Sequence, residues 1–69
     1  MINTIKVERA KRNMTQAELA EQVNVSRQTI NSIEIGKFIP STLLSMKIAQ
    51  IFNTTVNEIF ELEASDWKK

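Results

Sequence analysis

One short stretch of the chain holds Arg27, Gln28, Thr29, Asn31 and Ser32, side chains that recognise surfaces better than they drive reactions. Gln and Asn each present a donor and an acceptor and can clasp an adenine edge. Arg can clasp guanine at two points, and a Ser or Thr hydroxyl adapts to any base. Around them, the residues that most enzymes need are missing. Cys 0 and His 0 remove thiolate nucleophiles, disulfides, imidazole acid–base pairs and nearly every zinc site. With Gly 1 and Pro 1 there is no glycine loop to cradle a phosphate, and no Asp/Asn/Gly run suits calcium. No catalytic residue, metal ligand or cofactor is expected, and no small-molecule ligand.

To act together, these residues must share one face of a helix. At about 100° per residue, Ile30 and Ile33 set the inward direction. Gln28, Asn31, Ser32 and Ile35 then lie opposite, flanked by Arg27 and Thr29, with no acidic group on that outer face. Ser26 is placed to cap the start, and Gly36, the sole glycine, to close the end. The spacing predicts a helix over about 27–35. Upstream, Thr15-Gln16-Ala17-Glu18 has the capping-box pattern and opens a helix over about 16–23. Leu19, Ala20 and Val23 face inward, and Asn24 ends it because Asn tolerates the left-handed conformation. Two short helices joined through Val23-Asn24-Val25 describe a helix-turn-helix, whose second helix is offered to the DNA major groove. A plain solvated helix face in an ordinary bundle has similar residues. On the residues alone both readings stand.

The rest of the chain reads as more short helices. The first runs from Ile5 or Val7 to Arg12, with Ile5, Val7, Ala10 and Met14 as its apolar or small positions. The fourth, roughly Ser41 to Phe52, follows Pro40 and repeats Leu44, Ile48, Ile51 and Phe52 along one side before Asn53 stops it. Thr55-Val56-Asn57-Glu58 repeats the capping-box pattern and predicts a fifth helix through Ile59 and Phe60. The fold class is therefore all-α, a five-helix domain over 5–60 with a short tail at 61–69. Beyond Phe60, Leu62 and Ala64 alternate with Glu61 and Glu63. That period of two fits a short strand against the Ile2–Ile5 end, a contact with a second copy, or a frayed tail.

At 69 residues and 7.9 kDa there is room for one small core, and a chain without staples gains from self-association. Net charge is only +1, but residues 1–50 hold seven basic against four acidic groups, and the remainder two against four. A mild basic bias in the first part suits a polyanion. No signal peptide or membrane span is evident, so a cytoplasmic location without a membrane partner is expected.

The stretches Thr15 to Lys37, Pro40 to Ala49 and Thr55 to Phe60 together resemble the Cro/lambda-repressor-like, XRE-type helix-turn-helix transcriptional regulators, over roughly residues 5–60. The resemblance implies double-stranded DNA as partner and a homodimer, most often a repressor, on a two-fold symmetric operator. By position it implies Gln16 and Lys37 on the phosphate backbone and Arg27, Gln28 and Ser32 on bases. Thr29 and Asn31 neighbour them and touch either, and Ser26 joins the DNA-binding set. It also implies an Arg9–Glu34 pair tying the first helix to the recognition helix. Some departures stand out. Asn24 and Asn53 replace the usual Gly, Ile35 stands where Asn is common, and Glu8 takes a usually apolar position. The last predicts a first helix that starts late or sits differently. An antitoxin of a toxin–antitoxin pair and a protein-only adaptor are the alternative functions.

Overall fold

A computed structural model describes residues 1–68; Lys69, at the end of the predicted tail, lies outside the described residues. The element order is β1 (Ile2–Asn3), α1 (Ile5–Lys11), α2 (Gln16–Val23), α3 (Arg27–Glu34), α4 (Thr42–Ile51), α5 (Val56–Ile59) and β2 (Phe60–Glu61), with a closing 3-10 turn at Ala64–Trp67.

The first four helices stop by one device. Asn13, Asn24, Gly36 and Asn53 follow them at φ of 52°, 61°, 82° and 55°. In each case the next amide returns to a carbonyl of the last turn: Met14 to Arg9, Val25 to Ala20, Lys37 to Ser32 and Thr54 to Ala49. This left-handed closure satisfies carbonyls that a helix end leaves open. At Gly36 an added Cβ would meet nothing within 4 Å, so glycine is there for its backbone angle and not for room. Helix starts are equally local. Thr15 accepts from the Glu18 amide in a full capping box, and Ser26 and Ser41 accept from the Thr29 and Leu44 amides.

Three expectations need correction. The second capping box does not form: Thr55 makes no side-chain cap. The Thr54 hydroxyl, one residue earlier, donates to Glu58 at 3.0 Å and draws that carboxylate away. Phe60 is not helical but extended, at φ −114° and ψ 138°. It pairs with Asn3 in the antiparallel ribbon and is buried. Nor is α1 displaced by Glu8. Ile5, fully buried, anchors its first turn, and the Asn3 side chain accepts from the Ile5 amide. Of the other apolar or small positions of α1, Val7 and Ala10 are exposed. Glu8 is satisfied on the helix surface by Arg12 at 2.9 Å and Lys11 at 3.3 Å.

The core is Ile5, Leu19, Val23, Ile30, Ile33, Ile48, Phe52 and Ile59, with Ala20, Leu44, Ala49 and Phe60 around them. Burying each large side chain is worth about 1.5–3 kcal/mol, and two of them, Ile30 and Ile33, fix which way α3 faces. The ribbon pairs Ile2 with Glu61 and Asn3 with Phe60, so the alternation past Phe60 yields a two-residue strand. The tail then turns back. The Met1 ammonium meets Glu63 at 2.8 Å and Asp66 at 3.0 Å. That contact raises the ammonium pKa, through Glu63 first. The Asp66 carboxyl is lowered, first by the Glu63 amide and then by the ammonium. Among the described residues no helix is long and apolar enough to cross a membrane.

Candidate nucleic-acid interface

The motif is built from α2, the Asn24 turn and α3, with Val25 packed partly against the core. Ser26 caps α3 through a 3.1 Å bond from the Thr29 amide, and its hydroxyl also meets the Thr29 hydroxyl at 2.9 Å. Both hydroxyls thus serve the helix start. Beyond them Arg27, Gln28 and Asn31 are exposed, while Thr29 and Ser32 are half-buried. Lys37 is exposed just past the Gly36 turn. Neither Arg27 nor Lys37 enters an ion pair among the described residues, so both charges are available to a polyanion. The Ser32 carbonyl accepts from the Lys37 and Phe38 amides at 2.9 and 3.2 Å, folding that loop onto the end of α3.

Behind this face lies a charged tie across three helices. Arg9 donates to both oxygens of Glu34, at 2.6 and 3.0 Å, and to the Met14 carbonyl at 2.8 Å. The two side chains retain only 13% and 5% of their exposure. The hydrogen bonds that Arg9 donates to Glu34 push the Arg9 pKa further up. Gln16 completes it. Its Nε2 donates to Glu34 Oε1 at 3.0 Å and to Asn31 Oδ1 at 3.1 Å.

This geometry fixes amide orientations. A carboxylate can only accept, so Gln16 must turn its NH2 toward Glu34. Asn31 then turns its oxygen inward to Gln16 and its NH2 outward. Asn31 therefore offers donors on the outer face, while both Gln16 side-chain hydrogens are occupied. The part of Gln16 left for an anion is its backbone N–H, in the first turn of α2, where open amides and the helix dipole favour negative charge.

Arg12 escaped sequence reasoning. It donates to the Phe52 carbonyl at 2.6 Å, closing the end of α4, and its guanidinium sits 4.9 Å from the Phe52 ring centre. The local signal was Glu8 four residues before it, which accepts at 2.9 Å. Asn3, also unsuspected, donates to the Ile33 carbonyl at 2.9 Å and straps the ribbon to the end of α3. Phe38 is the third. Its ring stands half-exposed beside Gln28, Thr29 and Ser32.

Comparison with known proteins adds to this geometry. The family model described as helix-turn-helix matches residues 5–59. A protein of Archaeoglobus fulgidus, named as an HTH-type transcriptional regulator, is 47% identical over 100% of this chain and 99% of its own. Another so named, from Methanocaldococcus jannaschii, is 48% identical over 91% of this chain and 96% of its own. Among solved structures, the clp gene regulator of Corynebacterium glutamicum superposes with a TM-score of 0.71 at 27% identity, over 75% of this chain. The likeness spans 55% of that regulator's chain. These relatives are regulators and not enzymes. The motif geometry and the family match agree: the chain belongs to the XRE-type helix-turn-helix family of DNA-binding transcriptional regulators.

Proposed function

We propose that this protein is a cytoplasmic repressor that binds a palindromic operator as a homodimer, with α3 of each copy in the major groove. The observation that carries the reading is the outer face of α3. Arg27, Gln28 and Asn31 are exposed there on a helix immobilised from behind by Ile30, Ile33 and the Arg9–Glu34–Gln16 tie. Recognition needs such rigid placement, because a base edge rewards donors held at hydrogen-bond distance. In this reading Arg27, Gln28 and Ser32 read bases, and Asn31 and Thr29 contact bases or phosphate. Ser26, Gln16 and Lys37 hold the backbone. Residues 5–60 form the reader.

The second copy is assigned to the ribbon and tail at 61–69. What supports this is the exposure of Ile2, Leu62 and Trp67 at 50%, 57% and 77% on segments that the Met1 contacts hold together. A dimer would set its two recognition helices one DNA turn apart, about 34–36 Å, and occupancy of such a site blocks other proteins from it. Selection of bound sites from random duplex DNA tests the whole reading. Inverted repeats with half-sites one turn apart are the expected product. Recovery of no enriched sequence would overturn it.

A further inference from the structure

We infer that Phe38, outside the helix-turn-helix itself, reads sequence: its ring receives the 5-methyl group of a thymine next to the base contacted by Gln28. The inference rests on the DNA-reading function proposed above. Of the three phenylalanines, Phe52 and Phe60 are 1% and 7% exposed, whereas Phe38 is 49% exposed. Its ring is one wall of an open cleft of about 220 Å³ whose other walls are Gln28, Thr29 and Ser32. All three belong to the outer side of α3. The ring is therefore part of the recognition surface, although its residue lies beyond the helix.

The backbone that carries the ring is also held. Gly36 turns the chain at φ 82°, and the Lys37 and Phe38 amides both bond to the Ser32 carbonyl. These backbone bonds fix where the Phe38 Cα sits beside the end of α3. The lining residues are mixed in kind: Phe38 and Thr29 carry apolar carbon, and Gln28 and Ser32 carry an amide and a hydroxyl. On the major-groove edge the one apolar group is the thymine methyl, and it lies among hydrogen-bonding atoms. A cleft with one apolar wall and an amide beside it complements that edge, with the amide on an adjacent base and the ring against the methyl.

A second copy of the chain is the poorer occupant. Lys37, next to the ring and in no ion pair among the described residues, would face its twin's Lys37 across a two-fold contact there. Like charges so placed are repelled. Toward DNA, the same Lys37 is attracted to the phosphates flanking the groove.

The test uses the full chain and the operator obtained by selection, with each thymine replaced in turn by deoxyuridine, which lacks only the methyl. Wild-type protein is expected to lose about fourfold in affinity per half-site at one thymine position, the effect of uncovering one methyl-sized group. Phe38→Ala should bind the thymine and uracil duplexes equally while still preferring the operator to random DNA. Phe38→Leu, which keeps an apolar wall, should retain part of the discrimination. The inference is overturned if no thymine matters to the wild type, if Phe38→Ala retains the same sensitivity, or if the variant weakens all sequences alike. A shift of Phe38→Ala toward monomer in sedimentation, without change in thymine sensitivity, would also overturn it by making the ring a subunit contact. Failure of the intact chain to bind any duplex would instead bring down the function proposed above, and the wild-type titration alone distinguishes the two.

Discussion

Glu34 accepts from Arg9 at 2.6 and 3.0 Å and from Gln16 at 3.0 Å, and this shared carboxylate organises the residues around the reading face. Removing Arg9 leaves a nearly buried carboxylate with only Gln16 beside it. Arg9→Ala should therefore destabilise the domain by roughly 2–3 kcal/mol, short of the 3–5 for a fully buried pair but well above an exposed one. Chemical denaturation of Arg9→Ala, Glu34→Gln and the double variant measures the coupling; a value near zero contradicts the tie. A second prediction concerns Asn31, whose NH2 faces outward because its oxygen serves Gln16. Asn31→Asp keeps that inner acceptor and turns the outer donor into a carboxylate. Stability should change little, while DNA affinity falls at least about tenfold, the equivalent of one 1.4 kcal/mol contact. Unchanged affinity would remove Asn31 from the interface. The Arg9–Glu34 pairing was legible by resemblance. The role of the Gln16 side chain was not, because its partners are 15 and 18 residues away and only the folded geometry shows which atoms must donate.

The helices follow their punctuation. Starts at Thr15, Ser26 and Ser41 and stops at Asn24, Gly36 and Asn53 were readable because caps and left-handed residues act locally, within one turn. Where two local signals compete, reading failed. Thr54 and Thr55 both precede Glu58, and nothing in their spacing says which hydroxyl the carboxylate takes. Phe60 misled for another reason. Its extended backbone is set by pairing with Asn3, a partner at the other end of the chain. These differences are measurable. Thr15→Ala should cost about 1 kcal/mol, the loss of an N-cap, while Thr55→Ala should stay within about 0.5 kcal/mol; equal losses in thermal unfolding would contradict the assignment. The same box gives a pH dependence. Glu18 is held below its usual 4.5, chiefly by the Thr15 amide and then the Thr15 hydroxyl. Its contribution is complete above pH 4.5 and is lost as pH falls through the lower folded-state value. Wild type should exceed Glu18→Gln in stability at neutral pH, and the gap should close as the solution is acidified from pH 4.5 downward through the lowered folded-state pKa. A constant gap across that range would show that the carboxylate charge plays no part.

At the scale of the molecule, the charge bias read from sequence corresponds to a division of labour. The basic part contains the helix-turn-helix with Arg27 and Lys37, which enter no ion pair among the described residues, and the acidic part folds back through Glu63 and Asp66 onto Met1. Fold class and motif were legible because hydrophobic period and caps agree from Thr15 through Asn53. The ribbon was legible only as an alternative, since its partners are the two ends. Deleting residues 62–69 spares the Asn3–Phe60 pairing but removes Leu62, Trp67 and the Met1 contacts. On the proposed dimer it should shift sedimentation equilibrium toward monomer at tens of micromolar and weaken operator binding, because two half-sites no longer act as one. An unchanged dimer would place the interface elsewhere. The central claim is that α3 reads sequence while Gln16 and Lys37 hold the backbone, and one titration addresses it most directly. Affinity for the selected operator and for a scrambled duplex is measured across a salt series, with wild type, Gln28→Ala and Lys37→Ala. Wild type should prefer the operator by about 10³-fold or more. Gln28→Ala should lose about 1–3 kcal/mol on the operator alone, and Lys37→Ala should weaken both duplexes and reduce the salt slope by about one unit. Equal affinity of the wild type for both duplexes, or an equal loss on both from Gln28→Ala, would contradict the account.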